Sequence, residues 1–266
     1  MEKYDVKFKK KFGQNFLKDI NVVKRIVNTA GIDSDSLVIE VGPGGAIMTK
    51  ELAHVSDNVL AYEIDTELQD ELCKRLDGVD NVDILFQDFL TADLSRDVSN
   101  YDYKHLYFVS NVPYYITTPI LMKLINSGLK FDKIVMMVQK EVGDRFSTDP
   151  GCKEYGSITV LLNYFYDVKK EFFVSRKQFV PEPNVDSVII SFTEKGDRLP
   201  LYDFNLFEKL VRDSFQYKRK NLRNNLKNYD LNIIESVLNK YNLDLTVRAE
   251  ALDVSIFVEM ANELKK

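Results

Sequence analysis

The tetrapeptide Asn111-Val112-Pro113-Tyr114 contains the residue types needed to hold and activate a planar amino group. An exocyclic amine on a nucleobase is a poor nucleophile, because its lone pair is delocalised into the ring. An amide oxygen from Asn111 and a backbone carbonyl near Val112 can each accept one amine hydrogen and draw the nitrogen towards tetrahedral geometry. Pro113 keeps the turn stiff, and Tyr114 offers an aromatic face on which a base can stack. The same string also fits an Asn-x-Pro turn that ends a strand, with Tyr114 packed in a core.

A glycine turn upstream predicts a ligand site beside this tetrapeptide. Residues 37–41 form a short buried-strand pattern that runs into Gly42-Pro43-Gly44-Gly45-Ala46, and residues 47–55 follow as a predicted helix. A strand, a glycine turn and a helix begin a nucleotide-binding βαβ unit, in which Gly42 and Gly44 let the backbone pass close to a ligand. The third glycine of the dinucleotide fingerprint would fall at Ile47, so that fingerprint is absent. Glu40 would repel a pyrophosphate but suits a cationic ligand such as a sulfonium with an amino-acid tail.

Two further acidic residues lie at the ends of the next predicted strands. The strand predicted over residues 58–65 carries Glu63, at the distance from Gly42 where an acid accepts both hydroxyls of a ribose. The strand predicted over 82–89 carries Asp88, which is placed to accept from an adenine amino group. Either acid alone is more often a surface or capping residue. Together with the glycine turn, they indicate a bound adenosine.

The remaining apolar segments predict an α/β fold built on one sheet. Residues 106–110 form a fourth strand that delivers Asn111 to the same edge, 133–139 form a fifth, and 171–174 and 187–192 close the sheet around a helix predicted over 156–165. Residues 179–187 read as a rigid extended loop, because their two prolines restrict it. Helical patterns replace strands over 204–215, 222–226, 231–241 and 255–264. We therefore predict a sheet domain over residues 1–196 and a small helical domain over residues 197–266.

Length and composition exclude several classes of protein. The chain has 266 residues, and its 45% hydrophobic and 29% charged content is ordinary for a soluble globular protein. It has no apolar run of the roughly 18–20 residues that cross a bilayer and no signal core, so we expect a cytoplasmic protein. Cys73 and Cys152 lie far apart, and the two histidines lack ligand spacing, so neither a disulfide nor a metal is expected.

The net charge of −5 hides two basic segments. Residues 1–18 hold six lysines against two acids, a local charge of +4, and residues 209–227 hold seven cations against one acid, a local charge of +6. The rest of the chain therefore sums to −15, a distribution that favours a phosphate-binding surface on an acidic body, although a solvated charged face gives the same pattern. The cations assigned to nucleic-acid contact are Lys9, Lys10, Lys11, Lys218, Arg219, Lys220 and Arg223.

Taken together, the motifs resemble the bacterial ribosomal RNA adenine dimethyltransferases, specifically the small-subunit enzymes. This family is S-adenosylmethionine-dependent and has a Rossmann-like sheet. The likeness also includes Phe12-Gly13-Gln14-Asn15-Phe16-Leu17, which follows the first lysine cluster. It runs nearly end to end, through segments 12–17, 40–44, 63–65, 88–90, 111–119, 139–142, 153–156, 179–187, 219–226 and 248–250.

The resemblance implies roles for residues that local patterns leave open. It implies a methyl-donor site lined by Gln14, Asn15, Leu17, Gly42, Glu63, Asp88 and Asn111, with Tyr114 stacked on the target adenine. It implies dimethylation of two adjacent adenosines in a hairpin loop of small-subunit ribosomal RNA, by a monomer acting on the precursor of the small subunit. Two positions depart from the family pattern: Ala46 replaces the last glycine of the turn, and Val112 replaces a leucine.

Three alternatives remain at this point. A large-subunit ribosomal RNA adenine methyltransferase that confers antibiotic resistance would use the same site. A DNA amino-methyltransferase can share the Asn-x-Pro-Tyr tetrapeptide, but it normally needs a recognisable base-reading domain. A protein acting mainly as a ribosome assembly factor could retain the fold while methylation is dispensable.

Overall fold

A computed structural model describes residues 16–266 of the chain. The strands are β1 (Phe16–Leu17), β2 (Ser36–Val41), β3 (Asn58–Tyr62), β4 (Val82–Leu85), β5 (His105–Ser110), β6 (Lys133–Gln139), β7 (Tyr166–Val174), β8 (Phe179–Val180) and β9 (Ser187–Glu194). The α-helices are α1 (Ile20–Ala30), α2 (Ile47–Ala53), α3 (Gln69–Arg75), α4 (Leu94–Val98), α5 (Thr117–Asn126), α6 (Lys140–Phe146), α7 (Ser157–Phe165), α8 (Phe204–Ser214), α9 (Leu222–Asn225), α10 (Leu231–Lys240) and α11 (Val254–Lys265).

Seven of the strands form one mixed sheet, in the order β4-β3-β2-β5-β6-β9-β7. The pairs β4–β3, β3–β2, β2–β5 and β5–β6 are parallel, and β9 runs antiparallel to β6. All six residues of β2 are buried, as expected for a central parallel strand covered on both faces. The α/β class predicted from the sequence is therefore confirmed.

Contacts divide the chain into two compact units. The first contains the described residues up to Gly143 together with Lys169–Glu194, and the second contains Asp144–Val168 and Lys195–Lys266. The second unit thus includes α7 and the segment before it, which the sequence analysis placed in the sheet domain. The functional division after residue 196 stays a prediction.

The second unit is held together by capped amphipathic helices. Asp203 caps α8 by accepting a hydrogen bond from the Leu206 N–H at 3.0 Å. The buried face of α8 includes Phe207 and Leu210, which are fully buried. The α8 helix contacts α7 and α11, so its apolar face packs against helices of the same unit.

The structure differs from the sequence prediction at several element boundaries. The strands predicted over 58–65 and 82–89 are too long, because β3 ends at Tyr62 and β4 at Leu85. The residues that follow leave the ladder and form turns that carry the acids. The helices α3 and α4 were not predicted, because they are short and mostly polar, with too few buried residues to show a helical period. No helix among residues 16–266 has the length and apolarity to span a membrane.

Candidate active site

The carboxyl ends of β2, β3, β4 and β5 open on a pocket of about 300 Å³. Ligands of open α/β sheets collect at such strand ends, where the strand order reverses direction. Here the reversal lies between β2 and β5, since β2 pairs with β3 on one side and with β5 on the other. The predicted site residues that line this pocket are Leu17, Gly42, Gly44, Glu63, Asp88, Asn111, Val112, Pro113 and Tyr114.

A side-chain hydroxyl joins β2 and β5 where their backbone pairing stops. The ladder between the strands ends at the pair Ile39 and Phe108. Beyond it, the Ser110 hydroxyl donates to the Val41 carbonyl at 2.6 Å and accepts from the Val41 N–H at 3.3 Å. Ser110 is buried, so this bridge fixes the spacing between the two chain segments that enter the pocket.

The glycine turn has the backbone conformation that its composition predicts. Gly42 and Gly44 have φ values of +72° and +52°, in the left-handed region that favours glycine. Ala46 also has a positive φ of 57°, and it is buried in a cluster with Leu68 and Leu72. Ala46 does not line the pocket, because its methyl group packs with Leu68 and Leu72.

Glu40 is a buried acid on the wall of the pocket. Its side chain is 1% exposed, and its Oε2 atom has no hydrogen-bond partner among the described residues. Burial raises the pKa of the Glu40 carboxyl to about 8, and the neighbouring Glu63 carboxylate adds to the rise. The Thr49 hydroxyl opposes that rise. A buried carboxyl of a residue that lines a pocket is suited to a cationic ligand group.

The two other predicted acids lie at the ends of β3 and β4. Glu63 follows β3, and its Oε1 atom accepts a hydrogen bond from the Asp65 N–H at 2.9 Å. Burial raises the pKa of the Glu63 carboxyl. Asp88 lies in the turn after β4, where its Oδ1 atom accepts from the Leu90 N–H at 2.9 Å and begins a short 3₁₀ turn. Both carboxylates are thus oriented by backbone donors while they line the pocket.

The tetrapeptide after β5 lies at the opposite wall. Asn111 is half-buried and lines the pocket, and no hydrogen bond within residues 16–266 uses the Val112 carbonyl as acceptor. The Tyr114 hydroxyl lies 2.7 Å from Oγ of Ser187, at the start of β9. Burial raises the pKa of Tyr114, so the hydroxyl stays protonated. This hydrogen bond restrains the aromatic ring that the sequence analysis assigned to base stacking.

Some predicted residues are not described, and some pocket residues were not predicted. Gln14, Asn15, Lys9, Lys10 and Lys11 lie outside the described residues. Ile64 and Tyr115 line the pocket with large exposed fractions, 48% and 61%. Ile64 directly follows Glu63, and Tyr115 directly follows Tyr114. Adjacency in the sequence to a predicted site residue would therefore have identified both.

The remaining predicted cations lie in the second unit. Lys218, Arg219 and Lys220 are exposed on the loop between α8 and α9. Arg223 is exposed on α9, and its Nη2 atom lies 3.7 Å from Oε1 of Glu235. Arg223 therefore has an acidic neighbour that the three loop cations lack.

The fold and the pocket define a Rossmann-like methyltransferase, and two solved structures share the architecture. The 23S rRNA methyltransferase ErmE has a TM-score of 0.73 at 26% identity, covering 94% of this chain and 100% of that one. A dimethyladenosine transferase from Plasmodium falciparum has a TM-score of 0.77 at 27% identity, covering 92% and 95%.

The chain belongs to the ribosomal RNA adenine dimethylase family, whose model matches residues 5–266. Ribosomal RNA small subunit methyltransferase A from Streptococcus gordonii is 42% identical over 274 residues, which cover 100% of this chain and 94% of the relative. The protein of the same name from Streptococcus pneumoniae has the same identity and coverage. The resemblance drawn from the motifs is confirmed.

Proposed function

We propose that this chain transfers methyl groups to the exocyclic amines of adenines in small-subunit ribosomal RNA. The observation that carries the proposal is one pocket that brings the Asn111 carboxamide and the Val112 carbonyl together with the acids Glu63 and Asp88. One set of groups suits an amine acceptor, and the other suits an adenosine-bearing donor. The curated relatives named as small-subunit methyltransferases support the RNA class.

The donor that fits the described residues is S-adenosylmethionine. Glu63 would accept from its ribose hydroxyls and Asp88 from its adenine amine, while Gly42 and Gly44 leave room for the chain between them. The unpartnered Oε2 of Glu40 fits a cationic group of the same ligand. When bound, the sulfonium supplies an electrophilic methyl group. By the family resemblance, Gln14, Asn15 and Leu17 complete this site.

The residues after β5 would prepare the acceptor amine. Asn111 and the Val112 carbonyl accept its two hydrogens, which localises the nitrogen lone pair and aims it across the pocket. Tyr114, restrained by Ser187, stacks on the base. A base buried in a duplex cannot reach such a pocket, so an unpaired loop nucleotide is the favoured acceptor. No protein base is required, because the nitrogen becomes acidic once methylated and solvent takes its proton.

The identity of the RNA follows from the relatives and not from the pocket. The structural likeness to ErmE leaves a large-subunit target as the second candidate, but its 26% identity is well below the 42% shared with the small-subunit enzymes. We propose a monomer that acts in the cytoplasm on the small-subunit precursor and dimethylates two adjacent adenosines. Mass spectrometry of nucleosides from each rRNA after incubation with labelled donor distinguishes the two targets.

Replacing Asn111 with alanine tests the acceptor role. We expect methyl transfer to fall by roughly 10²- to 10³-fold, since a preorganised polar group is lost, while the donor dissociation constant stays within about threefold. Single-turnover methylation and calorimetry of donor binding measure the two quantities. Asn205→Ala, an exposed position on α8, serves as the control. Loss of donor binding to the same degree as turnover would show that Asn111 holds the donor and not the acceptor.

A further inference from the structure

The loop between α8 and α9 exposes an aromatic ring among cations. Five consecutive residues, 216–220, are exposed, and they include Tyr217, which is 57% exposed. The preceding Phe215 turns inward, with its ring 6.0 Å from Phe257 and 6.1 Å from Tyr155. The Tyr217 ring makes no such contact, and its hydroxyl has no hydrogen-bond partner in the described part of the chain. A large aromatic side chain is therefore mostly exposed, with neither a ring contact nor a hydroxyl hydrogen bond to another described residue.

The backbone of this loop is fixed by one buried carboxamide. Asn225 is 8% exposed, and its Nδ2 atom donates to the Ser214 carbonyl at 2.7 Å, with longer contacts of 3.4 Å to Tyr217 O and 3.5 Å to Lys220 O. Its Oδ1 atom accepts from the Tyr217 N–H at 3.2 Å. The loop is thus folded around Asn225, and a partner would not bear the entropy cost of ordering its backbone.

The loop cations have no acidic partners, unlike many others in the same unit. Lys209, Lys240 and Lys265 form ion pairs with Asp213, Glu259 and Asp203. Neither Arg219 nor Lys220 has an ion pair or side-chain hydrogen bond with any residue of 16–266. Lys218 donates from Nζ to the Lys153 carbonyl at 2.7 Å, which places the loop beside another exposed lysine. Unpaired cations around an ordered loop are complementary to a phosphate backbone.

We propose that this loop is a nucleotide-binding platform, on which an unpaired RNA base stacks on Tyr217 while Lys218, Arg219 and Lys220 contact the flanking phosphates. Every base has a π-face, so the contact is tolerant of sequence. The platform deepens the proposed function, since it rests on RNA being the substrate. The basic segment over residues 209–227 was predicted from its charge alone. Stacking on Tyr217 adds a contact that does not depend on charge.

The salt dependence of binding separates the stacking contact from the phosphate contacts. Neutralising a lysine that contacts a phosphate lowers the slope of log affinity against log salt by about 1, because fewer counterions are released. Removing a stacking ring weakens binding at every salt concentration and leaves that slope unchanged. Filter binding of unmethylated, in-vitro transcribed small-subunit rRNA over a range of salt measures both quantities.

We expect Tyr217→Ala to bind this RNA about 5- to 150-fold more weakly with the wild-type slope, and Tyr217→Phe to bind like the wild type. Lys218→Ala should show the reduced slope. Tyr202→Ala is the matched control, since Tyr202 is 63% exposed in the same unit but outside the loop. Donor affinity and thermal unfolding should be unchanged in all four variants.

Two results would overturn the platform while leaving the proposed function intact. One is wild-type affinity in Tyr217→Ala, and the other is a loss accompanied by a changed salt slope, which would assign the effect to the arrangement of the cations. A wild-type chain that neither binds nor methylates the RNA would instead refute the proposed function, and the platform with it.

Discussion

Replacing Glu40 with glutamine removes the buried acid on the pocket wall and keeps its shape. Glu40 is 1% exposed, and burial raises its pKa to about 8. A cationic donor group binds the carboxylate, not the neutral acid, so donor binding has to ionise Glu40 at neutral pH. We therefore expect donor affinity to depend on pH in the wild type and to lose this dependence in Glu40→Gln.

The size of the effect follows from the pKa. At pH 7, one unit below a pKa of about 8, roughly a tenth of the Glu40 side chains are ionised, and at about pH 9 nearly all are. A ligand that requires the carboxylate therefore binds about tenfold more weakly at the lower pH. Glu40→Gln should bind more weakly than the wild type above pH 8, since it offers no charge at any pH.

Calorimetry of S-adenosylmethionine binding between about pH 7 and pH 9 measures this effect. The donor's own α-amino group titrates in the same range, so the useful quantity is the ratio of wild-type to variant affinity, in which that titration cancels. We expect the ratio to rise about tenfold across the range, with about one proton released on wild-type binding near pH 7. A ratio independent of pH would refute the assignment of Glu40 to a cationic group.

The same substitution should have the opposite effect on the stability of the donor-free protein. The pKa of Glu40 is raised in the folded state from an ordinary 4.5, so its contribution to stability is complete below about pH 4.5 and is lost as pH rises towards 8. Glutamine has no proton to lose. The melting temperature of Glu40→Gln minus that of the wild type should therefore increase as pH rises through this window. A difference that does not change with pH would contradict a buried, neutral acid at position 40.

Two further substitutions test how the site is supported. Tyr114→Phe removes the partner of the buried Ser187 hydroxyl, so we expect a loss of about 1–3 kcal/mol in the free energy of unfolding, measured in urea, with a nearly unchanged KM for RNA. If Tyr114→Phe raised that KM as much as Tyr114→Ala, the hydroxyl and not the ring face would be the binding group. Gly143→Ala would place a Cβ atom 2.3 Å from Cγ1 of Val188, and overpacking of this kind costs about 1–3 kcal/mol in the same assay. If the two side chains meet, the double variant Gly143→Ala/Val188→Ala should lose less free energy of unfolding than the sum of the two single losses, and additive losses would show that they do not meet.

The strand-end acids could be predicted because each lies at the end of a short buried run. Residues of β2 and β3 are almost wholly buried, so apolar composition located the strands, and parallel order placed Glu63, Asp88 and Asn111 at one edge. The error was in strand length, since composition does not show where backbone pairing stops.

Other features depend on contacts between distant segments and could not be read from local patterns. Ser187 lies 73 residues from Tyr114, and the two meet only because β9 enters the sheet beside β6. Ala46 stands where the family pattern has the last glycine of the turn, and in the structure this residue has a positive φ and packs with Leu68 and Leu72. Composition alone does not give a backbone angle, so the structure was needed to decide on which side of the turn the methyl lies.

The separation of the two segments at the mouth of the pocket depends on one side-chain atom, the hydroxyl oxygen of Ser110. Because the hydroxyl replaces the main-chain ladder beyond Ile39 and Phe108, its removal would take away the hydrogen bonds that hold the glycine turn beside the Asn111 segment. Protein engineers who want the enzyme to accept donors with groups bulkier than methyl therefore have a place to begin that leaves every ligand-binding side chain unchanged.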